Sequence, residues 1–198
     1  WTGRGGNGKG LLSEMIKRVL TEAKSAGDPG YFHTLPITCL TKAQDKTDQP
    51  NPGIALGKGK RFAQAQEPET DDKLRAGVIK ELTGGDTIVA RVLHQNPVSY
   101  VPQFGLFLQC NGVPKLNKLD GGIKRRMVVI NFPFQFVESP SEPHHRPIDM
   151  DLKDKIIKSD AYRSEFMLML LETFKTIGST IEKPAFIKHH TDEYLEEN

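Results

Sequence analysis

The sequence predicts an α/β fold in which a central, mainly parallel sheet is flanked by helices. A glycine-rich loop, GRGGNGKG at residues 3–10, runs directly into an apolar pattern with helical spacing. Short apolar segments at 61–65 and 104–110 have the length and composition of buried strands, and each is followed by polar residues. Helical patterns and a hairpin pattern alternate with these strands, which is typical of the α/β class.

The first helix is predicted directly after the loop, and it ends at the turn formed by residues 27–30. Its apolar residues recur at helical spacing: Leu11, Leu12, Met15, Ile16, Val19 and Leu20. Residues 41–60 are polar and rich in proline, glycine and lysine, so we expect them to form an exposed connection.

A strand and a second helix follow this connection. Residues 61–65, RFAQA, predict a short strand that ends at Gln66. Residues 69–82 predict a helix, because acidic residues at its start suit the positive end of the helix dipole, and Gly84 ends the pattern.

A hairpin and two strands are predicted in the next part of the chain. Segments 87–94 and 98–102 flank a turn and predict the hairpin, which inserts between the core elements. Segment 104–111 predicts a buried central strand that ends at Asn111, and residues 125–136 predict a further apolar strand.

The C-terminal part is predicted to be a loop followed by helix. Residues 139–149 are rich in proline and predict a loop. Four large residues at every fourth position predict an amphipathic helix within 161–178: Tyr162, Phe166, Leu170 and Phe174. We therefore divide the chain into a core at 1–137 and a loop and helical segment at 138–198.

Composition places the chain among soluble globular proteins. Its 198 residues carry a net charge of +2, and no apolar run approaches the length of a membrane span. Cys39 and Cys110 lie far apart without neighbouring ligands, so we expect buried free thiols in a reducing compartment. Trp1 lies two residues before the loop, so we expect a fragment of a longer protein whose first strand precedes the loop.

The glycine-rich loop has the Gly-x-x-x-x-Gly-Lys frame of a phosphate-binding loop. Glycines let backbone N–H groups converge on phosphate oxygens, and the following helix N-terminus adds a favourable dipole. Lys9 would neutralise the terminal phosphates. Gly10 stands where a serine or threonine usually contributes to the Mg²⁺ shell, and either water or Ser13 could replace that hydroxyl. The expected nucleotide-binding residues are Gly3, Gly5, Gly6, Asn7, Gly8, Lys9 and Gly10.

Polar residues at two strand ends and one arginine pair extend this site. Glu67 follows a strand and is placed to hold Mg²⁺, directly or through water, or to orient the attacking water. Glu69, Asp71 and Asp72 compete for this role, and all four acids could instead only start a helix. Asn111 could contact the terminal phosphate, although it could also be a turn residue. Arg125 and Arg126 could supply an arginine finger to a neighbouring subunit or form a surface basic pair.

Four ordered blocks together resemble the superfamily 3 helicase domain of poxvirus-type primase-helicases of large DNA viruses, with relatives in phage and plasmid primases. The blocks are GRGGNGKG, AQEPE, the segment at 79–114 and GGIKRRMVVINFPF. The resemblance covers residues 2–137 and implies an AAA+-like core that binds ATP and Mg²⁺ and translocates on DNA as a ring, usually a hexamer. It implies a phosphate contact for Lys9, an acidic role for Glu67, a sensor role for Asn111 and a finger at Arg125 or Arg126.

The resemblance also implies a DNA interface and partners. The hairpin region at 79–102 resembles the channel hairpin of the family, so we expect Lys80, Arg91 and His94 to contact phosphates of single-stranded or forked DNA. The resemblance further implies a primase region elsewhere in the full-length chain, an intracellular location at sites of viral DNA replication, and no membrane partner.

A second hypothesis is that the chain is a nucleotide-binding, weakly hydrolytic module for oligomerisation or partner docking. The features in its favour are Gly10 and Gln66. Gly10 lacks the hydroxyl that usually follows the lysine, and Gln66 is an amide where a second acid can stand, so both lack a group that would lie near the metal. A small-molecule kinase is a third alternative, but the hairpin and the arginine pair stand where a substrate lid is expected.

Overall fold

The computed structural model describes residues 1–21, 30–42, 49–66, 68, 72–112, 114–177 and 182–197. The helices are α1 (Lys9–Thr21), α2 (Thr38–Thr41), α3 (Pro52–Ala55), α4 (Ala76–Thr83), α5 (Gly121–Lys124), α6 (Leu152–Lys158), α7 (Asp160–Ile177) and α8 (Ala185–Glu197). The strands are β1 (Phe32–Thr34), β2 (Phe62–Gln66), β3 (Lys73–Leu74), β4 (Ile88–Ala90), β5 (Val98–Tyr100), β6 (Gly105–Gln109), β7 (Lys115–Leu116), β8 (Gln135–Val137) and β9 (His145–Pro147).

A parallel sheet forms the centre of the molecule in the order β1-β2-β6. The first two residues continue it, because the Trp1 backbone nitrogen donates to the Leu108 carbonyl at 2.8 Å and Cys110 N donates to the Trp1 carbonyl at 3.0 Å. On its other side, Thr2 forms a parallel bridge with Asn131. The glycine-rich loop therefore leaves the sheet between β6 and residues 130–132, at the edge where the parallel strands end.

Alternation along β2 explains how helices cover both faces of this sheet. Ala63 and Ala65 are fully buried and pack in a hydrophobic core with residues of α2, α4 and α5. Gln64 lies on the opposite face, where its side chain bonds to Ser13 of α1. The predicted α/β fold, with helices flanking a mainly parallel sheet, is confirmed.

The hairpin insertion and the first helix also agree with the sequence prediction. β4 and β5 pair antiparallel, with Ile88 opposite Tyr100. The helix after the loop runs from Lys9 to Thr21, and its predicted end at 27–30 falls almost wholly outside the described residues. Tyr100 anchors the hairpin to the core, because its hydroxyl donates to the Ile54 carbonyl at 2.5 Å.

Two predictions in the middle of the chain are corrected by the structure. The helix predicted over 69–82 is present as α4 but begins only at Ala76, because Leu74 enters a two-stranded parallel pair with Leu116. Residues 69–71 of its predicted range lie outside the described residues. The exposed connection predicted over 41–60 contains the buried turn of α3, which Asn51 caps by accepting from Ile54 N at 3.1 Å. Gly53 fits there because a Cβ would lie 2.7 Å from the Cys39 sulphur.

The predicted strand at 125–136 is also wrong over most of its length. Only Asn131 bridges to Thr2, and the chain forms a ladder again at β8, which pairs with β9. The predicted loop at 139–149 therefore contains a short strand. This pair lies against the glycine-rich loop, since Phe136 N donates to the Gly6 carbonyl at 2.8 Å.

The C-terminal helices pack on the core through α1 and through residues 127–130. Arg18 of α1 donates to the Ile156 carbonyl at 3.1 Å and forms an ion pair with Asp160 at 3.0 Å. Thr191 of α8 accepts from Val129 N at 3.0 Å. The helix predicted within 161–178 is present as α7, but only Phe166 of its predicted apolar face is buried.

Candidate nucleotide site and nucleic-acid interface

Three glycines of the loop adopt backbone conformations that other residues rarely accept. Gly3, Gly6 and Gly8 have φ angles of 134°, 72° and 82°. At Gly3 a Cβ would also lie 2.5 Å from the Phe132 carbonyl oxygen. Glycine at these positions is therefore required by the backbone, and the loop leads directly into α1, which begins at Lys9.

Lys9 is buried within the loop that it follows. Its exposed fraction is 3%, and its Nζ donates to the Gly3 carbonyl at 2.7 Å and to Asn7 Oδ1 at 3.0 Å. Asn7 is itself buried, and its Nδ2 donates to the Phe132 carbonyl at 3.4 Å. The loop is thus organised around the ammonium group, which supplies a positive charge beside the glycine N–H groups.

The β8 segment holds the outer side of the loop. Phe136 N donates to the Gly6 carbonyl at 2.8 Å, and the Phe136 ring lies 3.7 Å from the position of a Cβ on Gly8. These contacts restrict a segment that glycines would otherwise leave mobile, so the chain after β6 contributes to the shape of the loop.

Ser13 does not reach toward the loop. Its hydroxyl donates to Gln109 Oε1 at 2.8 Å and accepts from Gln64 Nε2 at 2.8 Å. Gln64 Nε2 also lies 3.0 Å from Gln109 Oε1. The three side chains form a polar network between α1 and the sheet, and this network holds the serine that could have replaced the missing hydroxyl at position 10.

The strand ends bring polar residues to the same edge of the sheet. Gln66 ends β2 and is paired in register with Gln109 at the end of β6. Asn111 follows two residues later with an exposed side chain, and its carbonyl accepts from the Thr2 hydroxyl at 3.4 Å. Glu67 lies outside the described residues, directly after Gln66. Because carboxyl ends of parallel strands meet at one edge, Gln66 and Asn111 lie at the edge from which the loop leaves.

The two arginines have different surroundings. Arg125 is exposed just after α5. Arg126 is half-buried, donates to the Gly122 carbonyl at 2.9 Å, and has a buried Nε with no hydrogen-bond partner among the described residues. Asp120 caps α5 by accepting from Gly122 N and Ile123 N, which positions the pair at the end of a short, rigid turn.

The three residues expected at a DNA interface lie on two elements. His94 is exposed at the hairpin turn with a φ of 61°, and Arg91 directly follows β4. Lys80 lies on α4, where it forms an ion pair with Asp120. This pair lowers the pKa of the Asp120 carboxyl. Lys80 is thus engaged in a contact within the chain, whereas His94 faces solvent.

Neither cysteine suits nucleophilic or metal chemistry. Cys39 and Cys110 are buried free thiols, as expected, and burial raises the pKa of each. Within the described residues, no three side chains among His, Cys, Asp and Glu cluster as a metal site. In the part of the chain that the structure describes, no helix is long and apolar enough to cross a membrane.

Comparisons with known proteins identify viral relatives of this chain. No protein-family model matches the chain. A candidate helicase of Acanthamoeba polyphaga mimivirus is 32% identical over 204 residues, which cover 98% of this chain. A candidate helicase of Frog virus 3 is 30% identical and covers 79% of this chain. The chain is a homologue of these viral helicases. The resemblance to helicase and primase proteins of large DNA viruses is confirmed.

A primase of fowlpox virus extends the group of homologues, with 27% identity over 87% of this chain. The chain spans only 20% of the length of the mimivirus protein and 22% of the length of the fowlpox protein. Among solved structures, the apo C-terminal region of NrS-1 matches 82% of this chain with a TM-score of 0.57 and 18% identity. That similarity shows a shared fold.

The network of Ser13, Gln64 and Gln109 was missed as part of the site. Gln64 and Gln109 each interrupt an apolar strand sequence, and buried polar residues on a strand require partners. These two glutamines in apolar strands were the sequence feature that could have predicted the network. The role of the β8 segment was also missed, because a loop contact between residues more than a hundred positions apart leaves no local pattern.

Proposed function

We propose that this chain is the ATP-dependent DNA helicase core of a viral replicative primase-helicase. The homologues named as viral helicases and primases support the nucleic-acid part of this proposal. The single observation that carries the ATP part is the buried Lys9 within a glycine-rich loop at the carboxyl edge of a parallel sheet. An ammonium group and convergent N–H groups at a helix N-terminus form a site for a nucleoside triphosphate.

The loop would bind the phosphates, and the strand ends would contact the attacking water, the metal and the terminal phosphate. Binding of phosphates would draw Lys9 Nζ from the Gly3 carbonyl to phosphate oxygens, where it stabilises the charge that develops during transfer. Gln66 and Glu67 would face the attacking water or the metal, and Asn111 would contact the terminal phosphate. Arg125 or Arg126 would complete the site of a neighbouring subunit.

Mg²⁺ is the cofactor that this chemistry requires, and the residues at the sheet edge fit it. Mg²⁺ prefers oxygen ligands and retains several waters. The Gln66 amide and the Thr34 hydroxyl belong to this edge, and Glu67, which follows Gln66 in the sequence, would add a carboxylate. When bound, the ion supplies charge neutralisation at the phosphates. The chain's own residues then hold its water ligands and orient the nucleotide.

The hairpin would provide the contact to single-stranded or forked DNA. His94 and Arg91 lie at or beside an exposed turn, which could project into a channel formed by several copies of the chain. Lys80 would reach DNA only by leaving Asp120. Contacts of this type bind phosphates without reading sequence, as a translocating motor requires.

An arginine finger of this kind acts on the nucleotide bound by a neighbouring subunit. We therefore expect a homo-oligomeric ring, with six copies as the expected number. We further propose that the primase region belongs to another part of the full-length protein and that the protein acts inside the host cell at sites of viral DNA replication. These proposals concern a longer protein of the kind that the mimivirus and fowlpox relatives represent.

The test is steady-state ATP turnover with and without single-stranded DNA, across a range of protein concentrations. Wild type should show turnover that rises with concentration and with DNA, and Lys9→Met should abolish it while keeping the apolar stem of the side chain. Lys58→Ala, an exposed lysine that precedes the amino end of β2, is the matched control and should behave as wild type. Turnover that persists in Lys9→Met would contradict the proposal.

A second candidate function is a nucleotide-binding, weakly hydrolytic module that organises an assembly. The observation in its favour is the absence of a side chain at Gly10 together with the amide, rather than acid, of Gln66. It predicts that nucleotide binds and promotes assembly but that turnover stays at the level of Lys9→Met.

A further inference from the structure

A small cavity lies beside Gly10, between α1 and the carboxyl ends of β1 and β2. Its volume is about 90 Å³. Ser13, Thr34, Gln64 and Gln66 line it together with Gly10 and Phe32. We refer to it as the Gly10 cavity. A volume of this size has room for a few water molecules, and its polar wall offers them hydrogen-bond partners.

Gly10, like Gly5, differs from the three glycines of the loop that have a positive φ. Its φ lies outside the left-handed region that Gly3, Gly6 and Gly8 adopt, and an added Cβ would meet no atom within 4 Å. Neither backbone geometry nor space therefore demands glycine at this position. A serine or threonine would fit here, so the open space beside Gly10 is a property of this sequence and not of the loop conformation.

The wall of the cavity is a built polar surface. Gln64 is 1% exposed, is fixed by Ser13 and Gln109, and its Oε1 has no hydrogen-bond partner among the described residues. Thr34 and Gln66 end neighbouring parallel strands and present a hydroxyl and an amide. Glu14 and Lys17 also line the cavity, and their opposite charges leave it without a strong net charge.

We propose that ordered water in the Gly10 cavity replaces the hydroxyl that phosphate loops carry after the lysine. Thr34 and Gln66 position this water, and the Ser13–Gln64–Gln109 network holds the wall in place. The inference rests on the proposed function, since the water acts toward the Mg²⁺ of a bound nucleotide. It fits the chemistry of that ion, which keeps several waters in protein sites.

Two substitutions at one position separate water from other effects. Gly10→Ala adds a methyl group that displaces water and offers no oxygen, whereas Gly10→Ser adds a hydroxyl in the same place. Alanine and serine are both better helix formers than glycine, so neither change should destabilise α1. Thr34→Val removes one hydroxyl from the wall at nearly constant shape and serves as a third variant.

The experiment measures the dissociation constant of a fluorescent ADP analogue for the purified chain in MgCl₂ and in EDTA. The ratio of the two constants reports the contribution of Mg²⁺ without any need for turnover. Gly10→Ala should reduce this ratio by about tenfold or more, the typical effect of removing an outer-shell partner of a metal. Gly10→Ser should keep or increase it, and Thr34→Val should reduce it by less than Gly10→Ala. Affinity in EDTA should stay unchanged in all three.

Two results would overturn the inference. If Gly10→Ala binds with the wild-type ratio, water in the cavity does not contribute; if Gly10→Ala and Gly10→Ser reduce the ratio equally, the added Cβ is responsible and not the displaced water. Failure of the proposed function has a different signature. In that case wild type and Lys9→Met bind the ADP analogue equally weakly, with or without Mg²⁺, and the inference falls with it.

Discussion

The glycine-rich loop and the hairpin turn are both predicted to contact phosphates, but the structure builds them in opposite ways. The loop places Lys9 and Asn7 in the interior, with Lys9 3% and Asn7 6% exposed, and both donate hydrogen bonds to backbone carbonyls. At the hairpin turn, His94 and its neighbour Leu93 are exposed. The loop is organised before a ligand arrives, whereas the turn presents side chains to solvent.

This difference teaches how each region would select its ligand. A preorganised site loses little conformational freedom on binding, so it can hold one phosphate group in a defined geometry. An exposed turn can contact successive phosphates of a strand in many positions, which suits sequence-independent contact. Substitutions in the loop should therefore affect chemistry, and substitutions in the turn should affect only the response to DNA.

The largest expected effect is that of Lys9. Lys9→Met should abolish measurable ATP turnover, a larger loss than the roughly 10³-fold loss expected at an arginine finger, because it removes the charge that would bind and stabilise the phosphates. It should lower turnover equally with and without DNA. A Lys9→Met protein that retains basal turnover and loses only the stimulation by DNA would contradict this difference between the two regions, since the loop would then act in DNA binding and not in ATP hydrolysis.

The arginine pair gives the next effect and tests whether the loop is completed by a second copy. Alanine at the finger position should lower turnover by about 10³-fold or more without loss of nucleotide affinity. Arg125 is exposed, so Arg125→Ala should leave the thermal midpoint unchanged, whereas Arg126→Ala removes the bond to the Gly122 carbonyl.

Mixing experiments identify the finger independently of folding. Lys9→Met and the finger variant are each inactive, but a mixture should regain part of the turnover at interfaces that combine an intact loop with an intact arginine. Recovery with one arginine variant and not the other assigns the residue. No recovery with either variant would contradict a site shared between subunits.

The sequence predicts the parts of this molecule that depend on local patterns. The loop, α1, the hairpin and β6 were all predictable, because glycine spacing, helical periodicity and turn residues act over short distances. The start of α4 at Ala76 was not, since Leu74 pairs with Leu116 across the fold. The turn of α3 was missed for the same reason, because Tyr100, which packs against it, comes from the distant hairpin.

In the candidate site, too, local sequence patterns predict some features, whereas others depend on contacts between distant residues. Lys9, Gly3, Gly6 and Gly8 follow from the motif, and the structure gives each glycine a physical reason. The Ser13–Gln64–Gln109 network joins three elements, so only the register of the sheet reveals it. Nor could the sequence show that Lys80 pairs with Asp120, forty residues away.

A smaller effect is expected at the hairpin. Replacing Arg91 and His94 together by alanine should weaken binding of single-stranded DNA similarly across sequences. The slope of log affinity against log salt should become shallower by about one for each phosphate that the protein no longer neutralises. Basal ATP turnover should stay at the wild-type level. A sequence-specific loss of affinity would contradict the phosphate-binding role of the turn, as would an unchanged salt slope.

The smallest effect concerns the backbone of His94, whose φ of 61° is unusual for a residue with a side chain. His94→Gly should raise the free energy of unfolding by up to about 1 kcal/mol, because glycine adopts this conformation without steric cost. The same change should weaken DNA binding, since it removes the imidazole. His94→Asn is the matched control, because asparagine tolerates this backbone region, and it should leave stability near the wild-type value. Chemical denaturation and DNA titration of the three proteins give both quantities.

If His94→Gly gains stability while it loses DNA affinity, the turn is strained in favour of its ligand contact. If it loses both, the side chain of His94 supports the hairpin itself, and the contrast between an organised loop and an exposed turn does not hold.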